Sequence, residues 1–127
     1  MTKFVLIFVM GGIGSLFRYV VSGWAQRIGS GVFPFGTWCV NVVGCLGVGF
    51  LVAFLSGRGL VREEYRVALL IGLFGGFTTF SAFGYETFAM MNDGNWAPAV
   101  LNVVLNVCLG IAAVWFGYRI AEAWLGV

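Results

Sequence analysis

Apolar residues fill four long stretches of this chain, separated by short polar or Gly/Pro-containing segments. The first runs from about residue 4 to 24, up to "QRIGSGVFPFG". The second runs from about 37 to 55 and ends at "SGRGLVREEYR", the most charged part of the sequence. The third lies within about 62–91 and the fourth within about 96–125. Each is close to or above the roughly 20 residues that an α-helix needs to cross a bilayer. The pattern predicts an all-α integral membrane protein, a single domain (1–127) of four transmembrane helices. Trp24, Trp38, Trp96 and Trp124 fall near the proposed ends, where amphipathic rings favour the membrane interface. Trp115 does not.

Composition agrees with the pattern. Of the 127 residues, 61% are hydrophobic and only 9% charged, with mean hydropathy +0.99, whereas soluble domains are about a quarter charged. A net charge of +2 is too small to point to nucleic acid. The apolar run after Lys3 continues past Gly11 and Gly12 to about Trp24, the length of a span rather than of a cleavable signal. Lys3, Arg58, Arg62, Arg66 and Arg119 would share the side of the termini, against Arg27 opposite. The positive-inside rule therefore favours cytoplasmic termini by a modest margin. Cys39, Cys45 and Cys108 lie in apolar runs without a paired spacing and read as small hydrophobes. Histidine is absent, which removes the commonest metal ligand and neutral-pH proton shuttle. No nucleophile–base or metal constellation suggests an enzyme.

One stretch departs from what lipid favours: "GLFGGFTTFSAFGYE", Gly72 to Glu86. Residues 62–91 would make roughly 45 Å of continuous helix at about 1.5 Å per residue, more than the roughly 30 Å hydrocarbon core. Gly75-Gly76 followed by Thr78-Thr79 is the best place for a break, and carbonyls freed there can bind a cation. An unbroken, tilted helix with glycines for close packing fits the spacing equally well. Phe74, Phe77, Phe80 and Phe83 recur every third residue, as packing or as ring edges whose positive rim attracts a small anion.

Thr37 and Asn41 share a face of the second span, and Asn102 and Asn106 repeat that spacing on the fourth. They suit interhelical hydrogen bonds or a donor track for an anion. Arg18, deep in the first span, should face a partner, a water-filled vestibule or the interface. Glu86 could pair with an arginine or lie near the membrane surface. Small residues (Gly11 and Ser15, Gly44 with Gly47 and Gly49, Gly72 and Gly76) allow helices to touch and suggest a homo-oligomer, most simply a dimer.

"GTWCVNVVGCLGVG" and "GLFGGFTTFSAFGYE", set in four spans, closely resemble the small fluoride channels of the Fluc (CrcB) family, over essentially the whole chain. The resemblance implies an antiparallel, dual-topology homodimer in the bacterial inner membrane, with the third helix broken near its middle. It implies passive fluoride export that lowers cytosolic fluoride. It places Phe80 and Phe83 on the fluoride path with Asn41 beside them, Thr37 one turn away, Ser81 as a hydroxyl of the path and Arg18 near the vestibule. Asn102 and Asn106 would continue that path on the fourth span. The backbone carbonyls of Gly75 and Thr78 would hold a structural sodium ion at the dimer interface that is not itself transported.

The chain departs from the family where TTFSTFS becomes "TTFSAFG", so that Ala82 and Gly84 replace two hydroxyl residues, and where "CLGIAA" lacks a Gly-Ser found in some members. The charge bias also differs from the near balance that dual insertion requires; a paired, oppositely inserted partner chain is the alternative to a homodimer. Two other functions compete. A proton-coupled exporter of the small multidrug-resistance type needs a membrane-embedded carboxylate, but the first span has Arg18 and no Asp or Glu. A non-conducting scaffold subunit would need none of the threonine and asparagine donors.

Overall fold

The computed structural model describes residues 1–29, 31–58 and 61–126, and contains four helices long and apolar enough to cross a membrane. The side chain of Arg58, counted above among the charges near the termini, lies outside the described residues. Helix α1 spans Thr2–Ile28 and α2 spans Phe35–Arg58. The third span comprises α3 (Glu63–Val67), a π-helical stretch (Ala68–Phe74), α4 (Gly75–Phe77) and α5 (Phe80–Asn92). The fourth comprises α6 (Trp96–Val104), a π-helical stretch (Leu105–Leu109) and α7 (Gly110–Leu125).

Two of the connections are held by local hydrogen bonds. Between α1 and α2, the Gln26 amide accepts from the Gly36 N–H at 3.0 Å and donates to the Phe33 carbonyl at 3.4 Å. Between the third and fourth spans, Gly94 adopts φ +77°, a conformation that favours glycine. The Asn95 N–H then closes the turn on the Met90 carbonyl at 2.8 Å. Pro98 lies in the first turn of α6, where its missing N–H would have had no helical partner.

Close packing rests on small residues. The buried apolar positions include Ala25, Ala53, Ala68, Ala99, Ala113 and Ala121, whereas Phe8, Leu16 and Ile111 are exposed on outer faces that lipid would cover. The fourth span lies against α2 through two glycines: a Cβ at Gly49 would fall on the Val114 carbonyl and one at Gly117 on the Leu46 carbonyl. The first span contacts the upstream half of the third in the same way. A Cβ at Gly76 would sit 2.5 Å from the Gly11 carbonyl oxygen, and one at Gly72 would sit 2.9 Å from Met10 Cβ. Gly44 leaves room for the Thr78 methyl. The glycines that suggested self-association thus make contacts inside one chain. A small-residue spacing identifies a backbone contact without saying which helix supplies the other side.

Candidate functional site

Helical dihedral angles stop after Phe77 and resume at Phe80. Thr78 (φ −84°, ψ 159°) and Thr79 (φ −149°, ψ 113°) are extended. Local hydrogen bonds account for both edges. The Thr78 N–H and hydroxyl both donate to the Phe74 carbonyl at 2.9 Å, ending the upstream helix. The Thr79 hydroxyl accepts from the Ala82 N–H at 3.2 Å, an N-cap for α5. Asn41 of α2 then takes the polar groups of Thr79: its Oδ1 accepts from the Thr79 N–H at 2.8 Å and its Nδ2 donates to the Thr79 carbonyl at 3.1 Å.

These bonds withdraw two donors from the usual i→i−4 pattern. The Thr79 N–H goes to Asn41 rather than to the Gly75 carbonyl, and the Ala82 N–H goes to the Thr79 hydroxyl rather than to the Thr78 carbonyl. Both carbonyls therefore lose their helical donor, which is the condition under which backbone oxygens can ligate a cation. Gly75 is exposed, and among the described residues the Thr78 carbonyl accepts a long 3.4 Å contact from Arg18 Nη1, which leaves a lone pair available. Among the described residues no cluster of acidic or cysteine side chains could hold a metal. A hard, oxygen-seeking cation fits the donor set.

The asparagines form one connected chain. Asn41 Nδ2 also donates to Asn106 Oδ1 at 3.0 Å, and Asn106 Nδ2 donates to Asn102 Oδ1 at 2.8 Å and to the Asn102 carbonyl at 3.1 Å. Asn102 Nδ2 donates to the Thr87 hydroxyl at 2.9 Å, which donates to the Phe83 carbonyl at 2.7 Å. The π-helical turn at Leu105–Leu109 begins just before Asn106; such widened turns often accompany functional sites.

Two cavities meet at this cluster. The larger, about 1130 Å³, includes Arg18, Gln26, Thr37, Thr79, Ser81 and Glu86 in its lining and extends towards Asp93, away from both termini. The smaller, about 290 Å³, is lined by Asn41, Cys45, Thr79, Phe80, Phe83 and Asn106, among others. Thr79 lines both. Its hydroxyl is 3.3 Å from that of Ser81, so the pair shares one hydrogen bond. The rings of Phe80 and Phe83 lie 5.4 Å apart at 56°, yet Phe80 is 82% exposed and Phe83 only 9%. Phe80 therefore projects from the single chain, while Phe83 packs within it.

The structure thus brings Thr37, Asn41, Ser81, Phe80, Phe83, Asn106 and Arg18 to the two cavities. It puts Asn102, 0% exposed, behind them. Glu86 pairs with no arginine among the described residues; the Thr37 hydroxyl donates to its Oε1 at 2.7 Å, and its Oε2 is buried without a partner. Ala82 lines the larger cavity, and Gly84 is exposed with nothing within 4 Å of where a Cβ would be. Sequence reading missed a polar stripe on α1, where Ser15, Arg18, Ser22 and Gln26 share one wall of the larger cavity. Their spacing of three to four residues was the available signal.

Four apolar helices enclosing a polar cluster halfway along the third define a small multi-pass membrane protein. A family model described as "CrcB-like protein, Camphor Resistance (CrcB)" matches residues 5–118, and the chain belongs to that family. It is 42% identical over 127 residues, 99% of each chain, to a Chloroflexus aurantiacus protein named "Fluoride-specific ion channel FluC". Proteins of the same name from Geobacter metallireducens (40% over 122 residues, 96% of this chain and 98% of the relative) and Nitratidesulfovibrio vulgaris (42% over 117 residues, 92% and 94%) are similar to it as well.

Proposed function

We propose that the protein is a fluoride-specific channel of the bacterial inner membrane, a passive conductor rather than an enzyme, that lets fluoride leave the cytosol. The observation that carries this reading is the nearly end-to-end match to proteins named for fluoride-specific conduction. The geometry supports it. Fluoride is small and strongly hydrated, so a pore must replace its water with donors at several sites. Arg18 provides cationic N–H groups in the larger cavity, and the Thr79–Ser81 hydroxyl pair, sharing one bond, retains a hydrogen to offer. Phe80 and Phe83 offer ring edges in the smaller cavity. The N-terminus of α5, the positive end of its dipole, lies beside Thr79.

Asn41 and Asn106 line the smaller cavity, but their amide hydrogens are donated to neighbouring oxygens. In this reading they hold the path and yield a hydrogen to the ion as it passes. Thr37 orients Glu86, and Asn102 supports Asn106 from behind.

The working unit in this reading is an antiparallel, dual-topology homodimer. The cavities of a single chain are open grooves, and Phe80 and Gly75 lie on its surface. A second copy would close the grooves and bring a second pair of Gly75 and Thr78 carbonyls to the first. Those four oxygens are the ligands we assign to a structural sodium ion, which supplies fixed positive charge and ties the copies together.

The reading is tested by anion efflux from liposomes holding the purified protein. Fluoride is expected to leave rapidly while chloride stays; equal rates, or no fluoride efflux, reject the channel. Exchanging sodium for choline throughout is expected to slow fluoride efflux, with recovery when sodium is returned. Efflux indifferent to sodium rejects the carbonyl cation site alone.

A further inference from the structure

The directions of the asparagine chain are set by the backbone at its two ends. It begins at the Thr79 N–H, which can only donate, so the Asn41 atom facing it must be the oxygen. Asn41 therefore presents its nitrogen to Asn106, which must answer with oxygen and turn its own nitrogen towards Asn102. Asn102 is left with its nitrogen facing Thr87, whose hydroxyl hydrogen ends on the Phe83 carbonyl, a group that can only accept. The chain leaves the third span at Thr79, crosses the second and fourth, and returns to the third at Phe83. No amide in it can turn over without setting like atoms against each other.

We infer that Thr87, which lines neither cavity and touches no route for the ion, is a positioning residue for the path. Its hydroxyl fixes Asn102, and through Asn106 and Asn41 keeps the Thr79 N–H away from the Gly75 carbonyl. This deepens the channel reading and rests on it for its consequence in conduction. A hydroxyl is the group that fits, because Thr87 must accept from Asn102 and donate to Phe83 at once. Asn102 is fully buried and Thr87 is buried at 7% exposure, so water cannot substitute for a lost partner. Without the acceptor, Asn102 keeps a buried N–H with no partner and can relieve it only by swinging away from Asn106. Asn106 is then held by the Asn102 backbone carbonyl alone, and its grip on Asn41 loosens. Phe83 feels the change as well, since its carbonyl holds Thr87 while its ring lines the smaller cavity.

The test compares Thr87→Val, which keeps the shape and removes the hydroxyl, with Thr87→Ser, which keeps the hydroxyl, and Thr87→Cys, whose thiol is a poor acceptor. In full-length protein reconstituted in liposomes, Thr87→Val is expected to slow fluoride efflux about tenfold per assembled protein. Serine should stay within about twofold of wild type and cysteine fall between. Size-exclusion profiles should match throughout. A valine variant that conducts normally, or a serine variant as slow as valine, overturns the inference. Should valine fail to assemble, a cysteine variant as fast as serine overturns it equally. Deuterium exchange at the Thr79 amide gives a readout independent of conduction: it is expected to quicken in the valine and cysteine variants but not with serine, and unchanged exchange in both rejects the role of Thr87. Wild type without fluoride efflux would reject the channel reading instead, leaving the exchange measurement to decide on Thr87.

Discussion

Asn41→Asp is expected to reduce fluoride efflux to that of protein-free liposomes while the protein still inserts and assembles. Aspartate has nearly the shape of asparagine and keeps an oxygen for the Thr79 N–H. It loses the nitrogen that donates to the Thr79 carbonyl and to Asn106 Oδ1, so acceptor faces acceptor at both places. Each buried group left unpaired costs about 1–3 kcal/mol. Asn106 cannot turn to help, because its own nitrogen is committed to Asn102. When ionised, the new carboxylate also puts a negative charge in the wall of the smaller cavity. At a separation of about 4 Å and an effective dielectric constant of about 20, two like charges repel by about 4 kcal/mol, roughly a thousandfold in rate. Efflux at wild-type speed from this variant would place the ion route elsewhere.

Gly117→Ala is expected to lower stability by about 1–3 kcal/mol and to widen the gap between the second and fourth spans. The added methyl would fall on the Leu46 carbonyl and lie 2.9 Å from the Phe50 nitrogen. Both are backbone atoms, so neither can swing aside as a flexible side chain can. Gly49→Ala meets Val114 in the same way from the other helix and should behave alike. The Asn41–Asn106 bond spans these two helices, so efflux should fall with stability. Gly84→Ala is the control, because nothing lies within 4 Å of its added methyl. Thermal unfolding in detergent separates the cases: a Gly117→Ala protein as stable as the Gly84→Ala protein would mean that the helices are farther apart than described.

Much of this was legible along the chain, because it depends on spacing within one segment. A bilayer accepts long apolar helices, so four apolar runs announce four spans. Residues four apart share a helix face, so Thr37 with Asn41 and Asn102 with Asn106 announced two polar faces. The Gly75–Ser81 pattern marked the best place for a break in the third span while leaving an unbroken helix equally open, and only the family resemblance implied an ion path there.

Which face meets which was decided by the tertiary structure. Gly72 and Gly76 look alike as self-association or as intrachain contacts until Gly11 is found opposite them. Glu86 could be assigned no partner from sequence, since Thr37 lies 49 residues away. Asn102 and Asn106 share a helix face but not a role: one is sealed behind the cavity and the other lines it. Thr87 gave no signal, being a single threonine beside Glu86 with no second polar residue at helical spacing on its own face. A hydrogen bond needs a particular donor opposite a particular acceptor, and that pairing exists only once helices distant in sequence are brought side by side. The sequence by itself determined how many helices cross and where their polar groups lie; the packing decided which of those groups line the cavities and which hold the others in place.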